Sequence, residues 1–285
     1  MEGRDLVDVA NRIATARGFI FDMDGTIALG DSASGGHRAI PGAVDLLARL
    51  RRDGRPFRVF TNGSAKAPAD YAASLRAAGF DVQDEEMMTP SVSAAEYLVA
   101  TGLKRVRVLG NAGTMAPLIA AGIEVIGPSE KADGVQAVFT GWHREFGFPD
   151  LEAACNDIWA GAVLTSASHV PFFATQAGRG IGTSFAINAA ITALTKVKPT
   201  VLGKPSRHAL AAALRRMGLP RSAAREVVVV GDDPALEMRM ANRAGAVSVC
   251  VATGLQTLET MAALEAAERP LLPLQSVGDL AAMLG

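Results

Sequence analysis

The chain has 285 residues, a length that predicts two domains at about 150 residues per domain. Hydrophobic residues make up 49% of the chain, which is enough to form substantial cores and excludes an intrinsically disordered protein. With 28 basic and 29 acidic residues, the net charge of −1 argues against a protein that binds nucleic acid through its phosphates.

Short apolar runs alternate along the chain with longer Ala- and Leu-rich stretches. The runs are almost continuously apolar, which predicts strands buried on both faces of a parallel sheet, and several of the longer stretches end at a glycine, as helices do. The alternation predicts an α/β fold. In chain order, the predicted elements are strand Gly18–Met23, helix Ala43–Arg52, strand Phe57–Thr61, helix Pro68–Ala78, helix Ser91–Ala100, strand Val106–Leu109, strand Gly134–Thr140, helix Phe148–Trp159, strand Ala162–Thr165, helix Arg207–Met217, strand Glu226–Gly231 and helix Pro234–Ala244.

Neither a targeting signal nor a membrane span is predicted. Acidic residues interrupt the first 18 positions, so no apolar core of a signal peptide is present. The longest apolar stretch, Ser184–Leu194, is too short and too polar to cross a bilayer. The two cysteines form no disulfide framework, which favours a reducing compartment. We therefore expect a cytoplasmic protein with no membrane partner.

Two predicted strands run directly into carboxylates. Asp22 and Asp24 end the first strand ahead of Gly25, and a pair of carboxylates so close repels itself unless a cation or proton intervenes. Asp232 follows a run of four valines, where its oxygens suit Mg²⁺, whereas Asp233 before a proline is expected to cap the next helix. An ordinary turn is the alternative for the first pair, because turns use Asp and Gly.

Two further loops carry groups that bind anions. Thr61, Asn62 and Gly63 follow the second strand and supply a hydroxyl and backbone N–H groups, although Asn-Gly is also turn chemistry. Lys204 lies between a glycine and a proline just ahead of a helix, so it is held in a rigid turn. Carboxylates, a metal, N–H donors and a fixed cation together predict phosphoryl chemistry, in which one carboxylate attacks phosphorus.

The order of these four motifs resembles the haloacid dehalogenase (HAD) superfamily, and its NagD-like, p-nitrophenyl phosphatase branch in particular. The segments that carry the resemblance are Phe19–Gly25, Ile40–Ala43, Val59–Ser64, Val201–Ser206 and the Gly-Asp-Asp after the valine strand. Each motif is weak alone, but four in this order are specific, and the match extends over nearly the whole chain.

The resemblance implies a role for each motif residue. Asp22 would be the nucleophile that forms an aspartyl-phosphate, and Asp24 would protonate the leaving group and then activate water. Thr61, with the backbone donors of Asn62 and Gly63, would bind the phosphoryl oxygens, and Lys204 would tether nucleophile and phosphate. The cofactor would be Mg²⁺, held by Asp22, the backbone carbonyl of Asp24, and Asp232. The substrate would be a small phosphorylated metabolite rather than a nucleic acid polymer.

The implied fold is a Rossmann-like parallel-sheet core with an inserted α/β cap domain. The roughly 140 residues between Asn62 and Lys204 exceed any ordinary loop, so an inserted folded unit is expected. We place the core at 1–95 plus 197–285 and the cap, which would select the substrate, at 96–196. Dimers formed through the cap occur in this branch, so a homodimer is a further expectation.

The chain departs from the branch at three places. Leu236 and Glu237 stand where the fourth motif commonly has Thr and Asp, which leaves open whether Asp233 or Glu237 supports the metal. In the cap, Thr165–Ser168 and Gly141–Arg144 each lack an acidic residue that relatives carry. The substrate therefore cannot be carried over, and the contacts of His143, Arg144, Ser166 and Ser168 are open. Both tryptophans, Trp142 and Trp159, are expected in the cap core.

Two other functions compete with a phosphatase. A phosphomutase or phosphonate-cleaving relative shares the paired carboxylates, but such mutases usually carry a helical cap between the first two motifs. Only about 35 residues separate Asp24 from Thr61, too few for that cap. A non-catalytic binding scaffold is disfavoured because it has no reason to keep repelling carboxylates together.

Overall fold

The computed structural model describes residues 3–31, 36–175 and 178–285. The chain forms two compact units, and it leaves the first unit and later returns to it. The first unit contains residues 1–61, 69–88 and 213–285, and the second contains 62–68 and 89–212. The limits of the core, 1–95 plus 197–285, and of the cap, 96–196, remain predictions.

The helices and strands follow the predicted alternation. Within the described residues, the strands are β1 (Gly18–Phe21), β2 (Ala28–Asp31), β3 (Gly36–Ala39), β4 (Phe57–Phe60), β5 (Met87–Met88), β6 (Arg105–Leu109), β7 (Glu124–Ile126), β8 (Ala137–Thr140), β9 (Val163–Ser166), β10 (Phe172–Thr175), β11 (Gly178–Ile181), β12 (Thr200–Val201), β13 (Val227–Gly231), β14 (Val247–Val251) and β15 (Leu272–Leu274). The α-helices are α1 (Gly3–Ala14), α2 (Ala43–Arg52), α3 (Pro68–Ala77), α4 (Pro90–Thr101), α5 (Ala112–Ala120), α6 (Phe148–Trp159), α7 (Thr183–Thr195), α8 (Arg207–Arg216), α9 (Arg239–Ala244) and α10 (Leu258–Ala262). The predicted helix 234–244 begins with a π-helical turn, Pro234–Met238, before α9.

The first unit is built on a parallel sheet with the spatial order β15-β14-β13-β1-β4-β5. Strand β1 lies between β13 and β4, with Phe21 opposite Val230 and Val59. Every residue of β1 and β13 is buried, as the continuous apolar runs predict for central parallel strands. Because parallel strands end at the same edge of a sheet, the residues after β13, β1 and β4 meet there.

The second unit has its own parallel sheet, in the order β12-β9-β8-β6-β7. Successive residues of β8 face opposite sides of this sheet. Phe139 packs in a core with residues of α4 and α5, whereas Val138 packs in a second core with residues of α6 and α7. Helices therefore cover both faces, so the α/β class that the sequence predicts is confirmed in each unit.

Two antiparallel hairpins stand apart from these sheets and are not predicted by periodicity. The hairpin β2–β3 pairs Leu29 with Arg38 in the first unit, and β10–β11 pairs Phe172 with Ile181 in the second. Among the helices of the described residues, none combines the length and the apolarity that a membrane span requires. Both cysteines, Cys155 and Cys250, are free and buried.

A buried ion pair anchors the second sheet to its covering helix. The guanidinium of Arg107, on β6, is 2% exposed and donates from Nε to Asp157 Oδ2 on α6 at 2.5 Å. Its Nη1 donates to the carbonyls of Gly127, Pro128 and Glu130. Buried charges are tolerated only when they are paired and hydrogen-bonded, and this arginine meets both conditions.

We expect Arg107→Met to lower the free energy of unfolding by about 3–5 kcal/mol, because it leaves the Asp157 carboxylate buried without its cation. Urea unfolding measures the loss. The double variant Arg107→Met/Asp157→Leu removes both charges and should recover much of it. A single variant that unfolds within about 1 kcal/mol of the wild type would show that the pair contributes no more than an exposed one.

Candidate functional site

The predicted site residues of the first unit follow three adjacent strands. Asp22 follows β1, Thr61 follows β4 and Asp232 follows β13. The ladder continues past the strand ends, since the Asp22 amide donates to the Val230 carbonyl at 2.8 Å and the Thr61 amide to Met88 at 3.1 Å. The structure thus brings these three side chains to one sheet edge, where neighbouring strands lie about 4.8 Å apart.

Asp22 and Asp232 are two buried carboxylates at this edge. Their residues are only 9% and 6% exposed. The Thr26 hydroxyl lies 3.5 Å from Asp22 Oδ2, at the limit of a hydrogen bond. Two neighbouring carboxylates that are both screened from water repel one another, and a cation between them relieves the repulsion.

A glycine cradle fixes the Asp232 carboxylate. A Cβ atom added to Gly254 would lie 1.9 Å from Asp232 Oδ2, and one added to Gly25 would lie 2.5 Å from the same oxygen. Gly25 also has φ +78°, a conformation that favours glycine. The same Oδ2 accepts a hydrogen bond from the Leu255 amide at 3.0 Å. Backbone atoms therefore hold the Asp232 carboxylate on one side. The sequence did not predict this structural role of Gly25 and Gly254.

The two acidic neighbours of Asp232 support its loop. Asp233 Oδ1 accepts from the Ala235 amide at 2.9 Å, which confirms its prediction as a helix cap. The carboxylate of Glu237, 1% exposed, accepts from the Asp233 amide at 3.3 Å and packs against Gly231. Both residues thus shape the turn that carries Asp232.

Asp24 differs from the other two carboxylates in its exposure. It lies in a turn where the Gly25 amide donates to the Ala28 carbonyl at 2.9 Å, and its side chain is 56% exposed. The His37 Nε2 lies 3.5 Å from Asp24 Oδ1. A carboxyl that reaches solvent can exchange its proton, which is what an acid–base residue requires.

Thr61 and Lys204 are the buried polar residues of the two anion-binding motifs. Thr61 is 5% exposed at the end of β4 in the first unit, and Lys204 is 1% exposed in the second unit. Asn62 and Gly63, also in the second unit, are half-buried. Burying a lysine costs free energy unless anions compensate its charge. A lysine at this buried position therefore indicates a functional role rather than an ordinary surface charge.

The Asn62 side chain positions Lys204 within the second unit. Its Nδ2 donates to the Lys204 carbonyl at 3.0 Å, and its Oδ1 accepts from the Lys204 amide at 2.9 Å, although the two residues are 142 positions apart. Gly203, which directly precedes Lys204, is also closely packed, because a Cβ there would lie 2.2 Å from the Ala167 carbonyl oxygen. The sequence predicted only a backbone donor role for Asn62. The contact of its side chain with both backbone groups of Lys204 joins residues far apart in the chain, so no local sequence pattern predicts it.

The donor set at the sheet edge suits a divalent cation. Among the described residues, no three His, Cys, Asp or Glu side chains gather as a metal cluster. The predicted set does not need three, because it uses the Asp22 and Asp232 carboxylates and a backbone carbonyl. Oxygen donors of this kind are the ligands that Mg²⁺ prefers.

A buried thiol, that of Cys250, is close enough to these carboxylates to feel their charge. Burial, together with the nearby charges of Asp232, Glu237 and Asp233, raises the pKa of the Cys250 thiol to about 12. Only the thiolate binds metals, and at neutral pH this group stays protonated.

The four residues whose contacts the sequence left open, His143, Arg144, Ser166 and Ser168, have partners inside the second unit. His143 Nε2 lies 3.0 Å from Asp150 Oδ2, and the Arg144 guanidinium lies 5.8 Å from the Trp142 ring centroid. The Ser166 hydroxyl donates to the Ser168 carbonyl at 2.8 Å.

The two tryptophans of the second unit are not both core residues. Trp142 is half-buried against Phe173, but Trp159 is 63% exposed at the end of α6. The prediction of Trp159 as a core residue was wrong, because the last turn of α6 turns this side chain to the surface.

Comparisons with protein families agree with the motifs. A family profile described as haloacid dehalogenase-like hydrolase matches residues 19–124, and a second, described as HAD-hydrolase-like, matches residues 201–280. The matched segments contain all of the predicted carboxylates, Thr61 and Lys204.

Similar proteins with curated names span nearly the whole chain. Chronophin from Homo sapiens is 28% identical over 98% of this chain and 96% of its own length. A D-glycerol 3-phosphate phosphatase from Mycobacterium tuberculosis is 31% identical over 88% of this chain and 67% of its own length.

Solved structures are similar as well. A 4-nitrophenylphosphatase from Thermotoga maritima superposes with a TM-score of 0.82 at 27% identity, covering 96% of this chain and 99% of its own. A glycerol phosphate phosphatase from Mycobacterium tuberculosis, solved in complex with magnesium, superposes with a TM-score of 0.80 at 26% identity over 94% of this chain and 77% of its own.

Proposed function

This chain belongs to the haloacid dehalogenase-like hydrolases and is a phosphatase, and on that premise we propose that it hydrolyses a small-molecule phosphomonoester with Mg²⁺, through an aspartyl-phosphate intermediate. The observation that carries the proposal is the pair of buried carboxylates, Asp22 and Asp232, at the ends of adjacent parallel strands. The more exposed Asp24 stands two residues after the first of them.

In the first step, a carboxylate oxygen of Asp22 attacks phosphorus. A new bond forms between this oxygen and phosphorus while the bond from phosphorus to the leaving oxygen breaks. Asp24 transfers its proton to that oxygen, so the alcohol leaves neutral and Asp24 becomes a carboxylate. The division of roles matches the two environments, since Asp22 is buried beside another carboxylate and Asp24 reaches solvent.

In the second step, a water molecule attacks the phosphorus of the aspartyl-phosphate. Asp24 takes the proton from this water, the bond between phosphorus and the Asp22 oxygen breaks, and inorganic phosphate leaves. Both residues return to their starting protonation states. Asp24 thus serves as acid and then as base.

We assign phosphate binding to the Thr61 hydroxyl, the backbone N–H groups of Asn62 and Gly63, and the Lys204 ammonium. The contact of Asn62 with both backbone groups of Lys204 supports this assignment, because it fixes the lysine to the same segment that supplies the N–H donors. Asp22, the Asp24 carbonyl and Asp232 would hold Mg²⁺, which when bound neutralises phosphate charge.

The substrate class is a small phosphorylated metabolite selected by a cap at 96–196. The names of similar proteins give different substrates, D-glycerol 3-phosphate for one and phosphoglycolate for another, so no individual metabolite is proposed. We place the activity in the cytoplasm, in keeping with two free cysteines, and we propose a cap-mediated homodimer as its assembly state.

The proposal is tested with p-nitrophenyl phosphate in the presence and absence of Mg²⁺. We expect hydrolysis that EDTA abolishes and that added Mg²⁺ restores, because the proposed metal neutralises the charge of the phosphate. A panel of nucleotides, sugar phosphates, glycerol phosphate, pyridoxal phosphate and phosphoglycolate then narrows the substrate. A wild type inactive on the whole panel would favour the binding scaffold, and isomerised sugar phosphates without phosphate release would favour a mutase.

A further inference from the structure

The hairpin β2–β3 brings a histidine to the proposed acid–base residue. His37 Nε2 lies 3.5 Å from Asp24 Oδ1, and His37 Nδ1 lies 2.7 Å from the Ser74 hydroxyl oxygen on α3. The imidazole is only 8% exposed, whereas the Asp24 side chain is 56% exposed. A buried, anchored ring thus contacts an otherwise solvated carboxyl, and all three residues belong to the first unit.

The contact with Asp24 favours the His37 proton on Nε2, and the Ser74 hydroxyl, which can donate or accept, can then donate to Nδ1. A neutral imidazole has one donor nitrogen and one acceptor nitrogen. When the Ser74 hydroxyl donates to Nδ1, the proton is on Nε2 and can be shared with Asp24. The other tautomer would direct the Nε2 lone pair at a carboxylate oxygen, which is repulsive. The arrangement therefore favours the form that donates to Asp24.

This contact restricts a side chain that has few other restraints. A carboxyl more than half exposed loses rotamer freedom when it must adopt one orientation for proton transfer. A donor at Oδ1 offsets that loss and leaves Oδ2 as the oxygen that carries the proton. The 3.5 Å between His37 Nε2 and Asp24 Oδ1 is a close polar contact rather than a formed hydrogen bond, and such contacts at catalytic groups often tighten when substrate binds.

We propose that His37 is a positioning residue for Asp24, with its ring anchored by Ser74. The inference rests on the proposed function, and it concerns the step in which the leaving oxygen takes the Asp24 proton. In that step the O–H bond of Asp24 breaks and the O–H bond of the product alcohol forms, while His37 keeps its own proton. His37 does not touch the reacting atoms.

Positioning of an acid matters most when the leaving group is basic. Phenolate needs protonation as it departs, whereas p-nitrophenolate is stabilised by its nitro group and needs it less. The constant kcat/KM covers only the steps up to the first irreversible one, here departure of the alcohol. Comparing kcat/KM for phenyl phosphate and p-nitrophenyl phosphate, two substrates of similar shape, therefore isolates the contribution of the acid.

We expect His37→Ala to lower kcat/KM for phenyl phosphate by roughly tenfold, with a several-fold smaller loss on p-nitrophenyl phosphate. His37→Gln retains an Nε2 donor and should recover most of the loss. Ser74→Ala should give the same selectivity with a smaller amplitude, because it removes the anchor at Nδ1 without removing the ring. Arg38→Ala, on the opposite face of β3 at an exposed position, should leave the ratio of the two constants at its wild-type value.

The outcomes separate this inference from the proposed function. Equal losses on both substrates, or no recovery in His37→Gln, would assign His37 a merely structural role and overturn the inference while the phosphatase stands. A wild type inactive on both substrates would overturn the proposed function and this inference with it. Thermal unfolding of each variant identifies a loss of activity that comes from misfolding. If His37→Ala misfolds, the activity of His37→Gln decides whether His37 positions Asp24 or has a merely structural role.

Discussion

Replacing Asp22 by asparagine is expected to lower kcat on p-nitrophenyl phosphate by more than about 10³-fold. The amide has the shape of the carboxyl group but is a poor nucleophile, so the bond between enzyme and phosphorus does not form. The change also removes one of the two buried charges that suit a cation at the sheet edge. Phosphate release at saturating Mg²⁺ measures the loss.

A control substitution with the same change of charge separates the loss of the nucleophile from the loss of one negative charge. Asp45→Asn alters the exposed first turn of α2 in the same way and should keep wild-type activity. Acid quenching with radiolabelled substrate should trap phosphate on the wild-type chain and none on Asp22→Asn. An asparagine variant with near-wild-type kcat would exclude Asp22 as the nucleophile.

The sequence predicted the parts of the fold that depend on local pattern. The valine run became the central strand β13, and helices 43–52 and 148–159 have the predicted bounds, because continuous apolar runs and helical periodicity are read from neighbouring residues. The cap role of Asp233 was predictable for the same reason, since a cap needs only its own helix.

Contacts between distant residues left no such pattern. Asn62 holds both backbone groups of Lys204 across 142 positions, and His37 reaches Asp24 only because an unpredicted hairpin folds back. Neither pairing follows from periodicity, spacing or turn chemistry. The motifs therefore identified which residues matter, and the tertiary fold determines how each one is held.

Gly254 is the clearest example of a residue whose role depends on the tertiary fold and not on local sequence pattern. It follows β14 in a segment where no motif was recognised, yet a Cβ there would lie 1.9 Å from Asp232 Oδ2, 2.6 Å from its Cγ and 2.9 Å from its Cβ. Real Cβ atoms do not approach other atoms so closely, so either the carboxylate or the loop must move. The neighbouring amide of Leu255, which donates to the same oxygen, would be displaced with it.

We expect Gly254→Ala to lower kcat/KM by about 10²-fold, which is what a misplacement of roughly 1 Å costs at a catalytic site. The Mg²⁺ concentration for half-maximal activity should rise at the same time, because Asp232 is a proposed metal ligand, and excess Mg²⁺ should restore part of the activity. Gly147→Ala is the matched control, since its Cβ would meet only Pro149 at an ordinary 3.6 Å. A Gly254→Ala variant whose Mg²⁺ activation curve superposes on that of the wild type would show that Asp232 does not bind the metal.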